Sequence, residues 1–236
     1  MFIHLVVLAK FDGQTIAYHF SSEDWQKVLR ERKRVRGASE ISPAAYSVHV
    51  LKTKEPGFMS AQKMDAYFQD VSVYADLNDF FDALGDLIQL SAEDVASYLV
   101  RKHALSMVDL QRTLYFIYAE SLISSKKPLF KNRFVVFEEG PVDREVYRLQ
   151  THHRAKMIES HGLEKKIMAD VVSPSVVEQL DTGARDYQSK FGSAWEDNEN
   201  PTHRPGTPWR VARARGGRNE PITDEDILKY HEAERI

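Results

Sequence analysis

The stretch LQRTLYFIYAESLISSKKPLFKNRFVVFEEGPVDREVY, residues 110–147, carries the strongest fold signals in the chain. Its first half is apolar on nearly every side of a helix, a pattern typical of a helix buried at the centre of a domain. Its second half holds a strand candidate, RFVVFEE, followed by Gly140 and Pro141. Glycine permits a tight turn and proline favours the first position of a helix, so we expect a strand-to-helix turn there. The stretch therefore predicts a mainly helical domain with a minor strand element.

Helix-start signals surround this stretch. Hydroxyl residues suited to cap a helix N-terminus stand at Ser91, Ser106, Ser173, Thr207 and Thr223. Ser91 and Ser106 are each followed three residues later by aspartate, as in a capping box. Pro174 and Pro208 follow two of the hydroxyl residues, at the position where proline best begins a helix. Gly216 and Gly217 then end the helix that begins after Thr207.

The first 58 residues have a different pattern. Two apolar runs flank the turn pair Asp12-Gly13, which predicts a β-hairpin. Ser21 and Asp24 resemble a capping box before an amphipathic helix over 24–36, and YSVHVLKT predicts a third strand. Residues 1–58 are therefore predicted to form a small α/β unit.

A helical, acidic stretch separates this unit from the rest. Between Asp65 and Asp94 there are eight acidic residues and no lysine or arginine. The helix over 24–36 is rich in arginine and lysine, so the two segments are candidates to face each other. We predict an α+β fold with three parts: an α/β unit at 1–58, an acidic helical connection at 59–89 and a mainly helical domain at 90–236.

Composition excludes several classes of protein. The chain has 236 residues, a net charge of -3 and no cysteine. Disulfides, thiolate metal sites and a cysteine nucleophile are excluded, and a reducing compartment, the cytoplasm, is expected. We expect no secretory signal, because no basic residues precede the first apolar run and no small-residue cleavage site follows it. We also expect no membrane span, because no apolar run approaches about 18 residues.

The sequence predicts no catalytic residue, cofactor or metal site. It has no phosphate-binding glycine loop, nucleophile elbow or dinucleotide-binding glycine pattern. His152 and His153 are adjacent, so their side chains point to different sides of a helix and do not share a metal. The acidic residues between 138 and 145 lack the distant carboxylates that a Mg²⁺-dependent nuclease needs.

The segment GTPWRVARARGG, residues 206–217, has two interpretations. Its arginines are candidates for phosphate contacts, which would make the protein a DNA-binding regulator. Alternatively, Trp209 and Ala212 pack on the core while the arginines pair with acids. Arg210 and Arg213 lie near one another on a helix but Arg215 points elsewhere, so no single basic stripe forms. The structural interpretation is favoured, and DNA binding is kept as the alternative.

The order of these pieces resembles the Panacea domain, also called the SocA-like or phage-associated GepA-like antitoxin domain. The resemblance covers about residues 90–236 and includes the late segments AWEDN, GTPW and ITDEDILKYH. The residues that carry it are Leu110, Leu114, Tyr115, Phe116, Pro128, Leu129, Phe130, Gly140, Pro141, Val142, Tyr147, Thr207, Pro208 and Trp209.

The resemblance implies a non-catalytic antitoxin that neutralises a cognate toxin by direct binding, with the toxin encoded by a neighbouring gene. It implies no cofactor and no membrane contact, and it leaves the oligomeric state open. The partner-binding residues expected on this basis are Tyr115, Glu139, Gly140, Pro141, Tyr147, Trp195, Trp209, Arg210 and Arg213.

Overall fold

A computed structural model describes residues 1–11, 13–38, 41, 43–191 and 200–235. It has the mixed α+β architecture predicted from sequence, with a four-stranded sheet near the N-terminus and helices over most of the remainder. The chain forms two compact units, one of Met1–Gln89 with Lys166–Val172 and one of Leu90–Lys165 with Ser173–Ile236.

The N-terminal unit is a sheet with helices on its faces. Its elements are β1 (Phe2–Phe11), β2 (Gln14–Ser22), α1 (Trp25–Gly37), β3 (Ser47–Thr53), α2 (Phe58–Met64), β4 (Ser72–Tyr74) and α3 (Leu77–Ile88). The strand order is β3-β1-β2-β4, in which β1 is antiparallel to β2 and β3, and β4 is parallel to β2. The helix begins within one residue of its predicted start, but the predicted cap is wrong. Asp24, and not Ser21, caps α1 by accepting a hydrogen bond from the Gln26 amide.

Both faces of the sheet are covered. On one face, Leu5, Val7 and Tyr18 pack with residues of α1 and α3. On the other, Val6, Leu8 and Ala17 pack with Ala61 and Phe68. Strand β1 alternates between these two cores, so its apolar run is continuous from Leu5 to Ala9.

Residues 59–89, predicted as a connection, are instead part of the N-terminal unit. Strand β4 pairs with β2 and completes the sheet. Helix α3 then contributes one apolar side to the core through Leu77, Phe80, Phe81 and Leu84. The many acidic residues made this stretch look like an exposed connection in the sequence. In the structure they occupy the side of α3 opposite its apolar side, where Asp79, Asp82 and Asp86 are exposed.

A chain of buried polar side chains crosses the second face of the sheet. His4 is fully buried, and its Nδ1 lies 2.9 Å from Nε2 of His19. Its Nε2 lies 2.7 Å from the Thr53 hydroxyl, which donates to the Glu55 carbonyl. With the Thr53 proton used in this way, His4 Nε2 donates to Thr53 and His4 Nδ1 accepts from His19, an arrangement that needs a neutral His4.

Acid is therefore expected to destabilise the N-terminal unit. Burial lowers the pKa of His4, and burial together with the His4 charge lowers the pKa of His19 to about 4. A lowered pKa in the folded state means that stability is full above the unfolded value of about 6.5 and falls as the pH drops towards 4. We expect a loss of about 2 kcal/mol between pH 7 and pH 4.5, measured by hydrogen exchange of β1 amides. His19→Gln should flatten this dependence, and an unchanged slope would contradict the role of the pair.

The elements after α3 are mostly helical. They are α4 (Ala92–His103), α5 (Met107–Ser125), β5 (Phe134–Phe137), β6 (Gly140–Asp143), α6 (Arg144–His152), α7 (Arg154–Glu159), α8 (Gly162–Met168), α9 (Ser175–Phe191), α10 (Pro208–Gly216) and α11 (Asp224–Tyr230). As predicted, α5 is central and buried along most of its length, and it packs with α4, α9 and α11. Within the described residues, no helix is both long and apolar enough to cross a membrane.

Most predicted helix starts in this unit are confirmed. Ser91 and Thr223 form complete capping boxes, and Ser106 and Thr207 accept hydrogen bonds from amides in the first turns of α5 and α10. Helix α10 has proline at its first position and ends at Gly216, as the sequence predicted.

The turn at Gly140 and Pro141 differs from the prediction. Both residues belong to strand β6, which pairs antiparallel with β5 so that Val136 lies opposite Pro141. Helix α6 begins only after Asp143, whose carboxylate accepts hydrogen bonds from the Glu145 and Val146 amides. Proline is tolerated because β6 is the outer strand of a two-stranded sheet. At such an edge position the missing N–H of proline costs no hydrogen bond between the strands.

Candidate functional site

The β5–β6 turn and the start of α10 bring most of the predicted contact residues to one surface. We call this surface the hairpin face and define it by the side chains of Glu138, Glu139, Tyr147, Arg210, Arg213 and Arg218. Two aromatic residues, Phe137 and Trp209, link the hairpin to α10. Tyr147 and Arg218 contact Phe137, and Arg210 and Arg213 lie against Trp209. Glu138 and Glu139 form the turn that follows Phe137, where Glu138 pairs with Arg213 and Glu139 with Arg112.

Trp209 is the anchor of the hairpin face. It is 2% exposed, and its indole Nε1 donates to the Phe137 carbonyl oxygen at 2.9 Å. His203 stacks on the indole with ring centroids 4.0 Å apart. The Arg213 guanidinium lies 4.8 Å from the indole centroid, within the range of a cation–π contact. Trp209 therefore fixes both the end of β5 and the direction of Arg213.

The tip of the hairpin is held by the segment just before α10. The Asn200 amide donates to the Glu139 carbonyl oxygen at 3.2 Å, and the Asn200 side chain also caps the short helical turn Pro201–His203. Gly140 has φ +124°, and a Cβ atom there would lie 3.1 Å from the Thr202 hydroxyl. The tip therefore needs glycine both for its backbone angle and for its close approach to Thr202.

The exposed part of the hairpin face is charged and aromatic. Glu138 and Arg213 form an ion pair of 3.1 Å with side chains 74% and 37% exposed. Tyr147 is 40% exposed and packs edge-on against Phe137. Arg218 also lies over the Phe137 ring, with its guanidinium carbon 5.3 Å from the ring centroid. Together these contacts present arginine, tyrosine and glutamate side chains on buried Trp209 and half-buried Phe137.

The α10 arginines follow the structural interpretation of their sequence. Trp209 and Ala212 are buried, and Arg210 donates to the His203 carbonyl oxygen. Arg215 bridges two carboxylates, with Nε 2.6 Å from Glu220 and two nitrogens 3.0 Å from Asp226. The arginines thus point in different directions, and two of them have carboxylate partners.

The remaining predicted contact residues lie elsewhere. Tyr115 is fully buried and donates to Glu234 at 2.6 Å, so we assign it to the fold rather than to a direct contact. Pro141 and Trp209 are buried as well and support the hairpin face from below. Trp195 lies outside the described residues.

The partner-binding residues expected from the sequence did not include Glu138 or Arg218, and the Asn200 support of the hairpin tip was missed. Asn200 followed by Pro201 is a helix-start signal that would have placed an ordered turn just before α10. Glu138 and Arg218 carry no local signal, because their role depends on contacts with residues 75 and 81 positions away along the chain.

The described residues contain no cluster of three or more histidine, aspartate or glutamate side chains able to hold a metal ion. A groove of about 610 Å³ runs beside α5 and α9, and its lining mixes aromatic, acidic, basic and amide side chains. Comparison with protein-family models, with curated proteins and with solved structures gives no match.

Proposed function

We propose that this chain is a non-catalytic antitoxin that binds a cognate protein toxin through the hairpin face. The single observation that supports this is the grouping of exposed Tyr147 and Arg210 with half-buried Arg213 around the hydrogen-bonded pair Phe137 and Trp209, beside exposed Glu139 of the β5–β6 turn. The identity of the partner as a toxin, made in the cytoplasm from a neighbouring gene, rests on the resemblance to the Panacea family.

The composition of the hairpin face suits protein recognition. Arginine, tyrosine and tryptophan are the residues most enriched among those that dominate binding energy at interfaces. Arg213 is already held by Glu138 and by the Trp209 ring, so little side-chain freedom is lost when a partner engages it. We expect an interface of about 1,600 Å² in total.

DNA binding, the alternative from sequence, has less support. Phosphate recognition needs arginines whose charge is not already neutralised. On α10, Arg213 pairs with Glu138, and Arg215 pairs with Glu220 and Asp226. The net charge of -3 supplies no overall attraction to a polyanion.

Arg213→Glu is expected to weaken toxin binding by about 30-fold, or about 2 kcal/mol. The substitution places two acids side by side at the turn and removes the contact with Trp209. Titration calorimetry with the purified product of the neighbouring gene measures the effect. The matched control is Lys156→Glu, which makes the same charge change at an exposed position of α7 and should leave the affinity unchanged.

A second variant separates recognition from local repulsion. Glu138→Arg combined with Arg213→Glu restores an ion pair of reversed orientation. If the partner contacts these charges, binding stays weak in the double variant. Wild-type affinity in Arg213→Glu, with a fold intact by circular dichroism, would contradict the assignment of the hairpin face.

A further inference from the structure

Strand β3 forms an open edge of the N-terminal sheet. It pairs with β1 on one side, with Val7 opposite Val48 and Leu5 opposite Val50. Across the part of the chain that the structure describes, no strand and no backbone hydrogen bond occupies its other side. An uncovered strand offers unpaired amide and carbonyl groups to an added strand.

The open edge is also apolar. Val48 is 37% exposed and Val50 is 56% exposed. Residues opposite one another on paired strands share a face, so both valines lie on the same face as Leu5 and Val7. Helices α1 and α3 cover this face where it is formed by β1 and β2. The covering helices therefore leave β3 exposed at the border of the core.

One side of α1, which packs on β1 and β2, faces towards this edge. Glu31 of α1 accepts a hydrogen bond from Tyr18 of β2 at 2.8 Å, which turns the Glu31 side of the helix towards β2. Successive residues of a helix are about 100° apart, and the buried residues of α1 are Val28 and Val35. The side of α1 that is next to these valines and turned away from Glu31 carries two exposed apolar residues and two arginines. Its members are Trp25, Leu29, Arg32 and Arg36. In the sheet, β1 lies between β2 and β3, so the side of α1 that is turned away from β2 faces towards β3.

The charges around the edge are positive. Trp25 is 60% exposed and Leu29 is 41% exposed, and both stand in line with the exposed Arg32 and Arg36. Lys52 of β3 is exposed as well. A partner that covers this surface must supply apolar side chains, backbone hydrogen bonds and negative charge together.

We propose that the β3 edge, with the adjoining side of α1, binds an extended protein segment that carries apolar and acidic residues in turn at every second position, so that both kinds lie on the face covered by α1. The segment adds to the sheet as a fifth strand, placing its apolar side chains against Val48, Val50 and Leu29 and its acids beside Arg32 and Arg36. This site is separate from the hairpin face and does not depend on the proposed function.

Two other occupants fit less well. A second copy of the chain paired through β3 would bring Lys52, Arg32 and Arg36 of both copies together, and like charges across an interface oppose binding. A nucleic acid would use the positive charges but would leave the open strand edge and the exposed valines without partners.

The test uses the full chain and a synthetic eight-residue peptide that has valine and glutamate in turn at every second position and threonine between them. We expect saturable binding in an NMR titration, with slower hydrogen exchange at β3 amides, and no binding of the matched valine–lysine peptide. Combined Arg32→Glu and Arg36→Glu substitutions should weaken binding by at least about tenfold. Combined Arg30→Glu and Lys33→Glu substitutions, on the side of α1 away from the sheet, are the matched control and should leave binding unchanged.

Several results would overturn the proposal. These are no binding of the valine–glutamate peptide up to about 1 mM, protection that maps away from β3, or equal binding by the Arg32/Arg36 variant. Concentration-dependent self-association abolished by Val50→Lys would assign the edge to a second copy. Salt-sensitive duplex DNA binding lost in the Arg32/Arg36 variant, without peptide binding, would assign it to nucleic acid.

Discussion

Trp209→Ala is expected to destabilise the C-terminal unit by about 3–5 kcal/mol, the range for deleting a large aromatic side chain from a core. The substitution empties the space beneath the hairpin face and leaves the Phe137 carbonyl oxygen without the indole donor. It also removes the ring on which His203 and Arg213 rest.

Trp25→Ala is the matched control for this loss. The side chain of Trp25 is 60% exposed, so the same change there should alter stability by less than about 0.5 kcal/mol. Urea unfolding followed by circular dichroism measures both variants. A loss below about 1 kcal/mol for Trp209→Ala would show that the indole does not anchor this region.

His231→Ala is expected to cost about 3–5 kcal/mol at pH 6. His231 is fully buried between two carboxylates, with Nδ1 2.6 Å from Glu234 and Nε2 3.2 Å from Glu120. Glu234 is also fully buried, and its other partner is the Tyr115 hydroxyl. Removing the histidine leaves the buried Glu234 carboxylate with the Tyr115 hydroxyl but without its ion-pair partner. The control is His152→Ala, at an exposed position, which should have little effect on stability.

The His231 contribution should depend on pH in the opposite sense to the His4–His19 pair. Burial alone would lower the pKa of His231, but hydrogen bonds and charge from Glu120 and Glu234 raise it above 6.5. A raised pKa in the folded state gives stability that is full below the unfolded value and is lost as the pH rises through the folded value. The stability gap between wild type and His231→Ala should therefore shrink between pH 6 and pH 9. Hydrogen exchange of α5 amides measures it, and a gap that widens with pH would contradict a charged His231.

Local signals predicted the helices of the C-terminal unit well because their determinants are close in sequence. Ser91, Thr207 and Thr223 each cap a helix through a bond to an amide three residues on. The central position of α5 followed from its apolar surface alone.

The sequence was less informative where long-range pairing decides the structure. Gly140 and Pro141 carry helix-start chemistry, yet pairing with β5 places them in a strand. Strand β4 is only three residues long, and its parallel pairing with β2 has no local signature. The hairpin face likewise depends on distant contacts, since Trp209 meets Phe137 from 72 positions away.

The most direct test of the antitoxin proposal is growth of cells that express the neighbouring gene with and without this chain. The proposal predicts that the neighbour alone arrests growth, that co-expression of the wild-type chain restores it, and that Arg213→Glu restores it less than Lys156→Glu does. A neighbour that is toxic but is not neutralised by the wild-type chain, or one that is harmless alone, would contradict the antitoxin function.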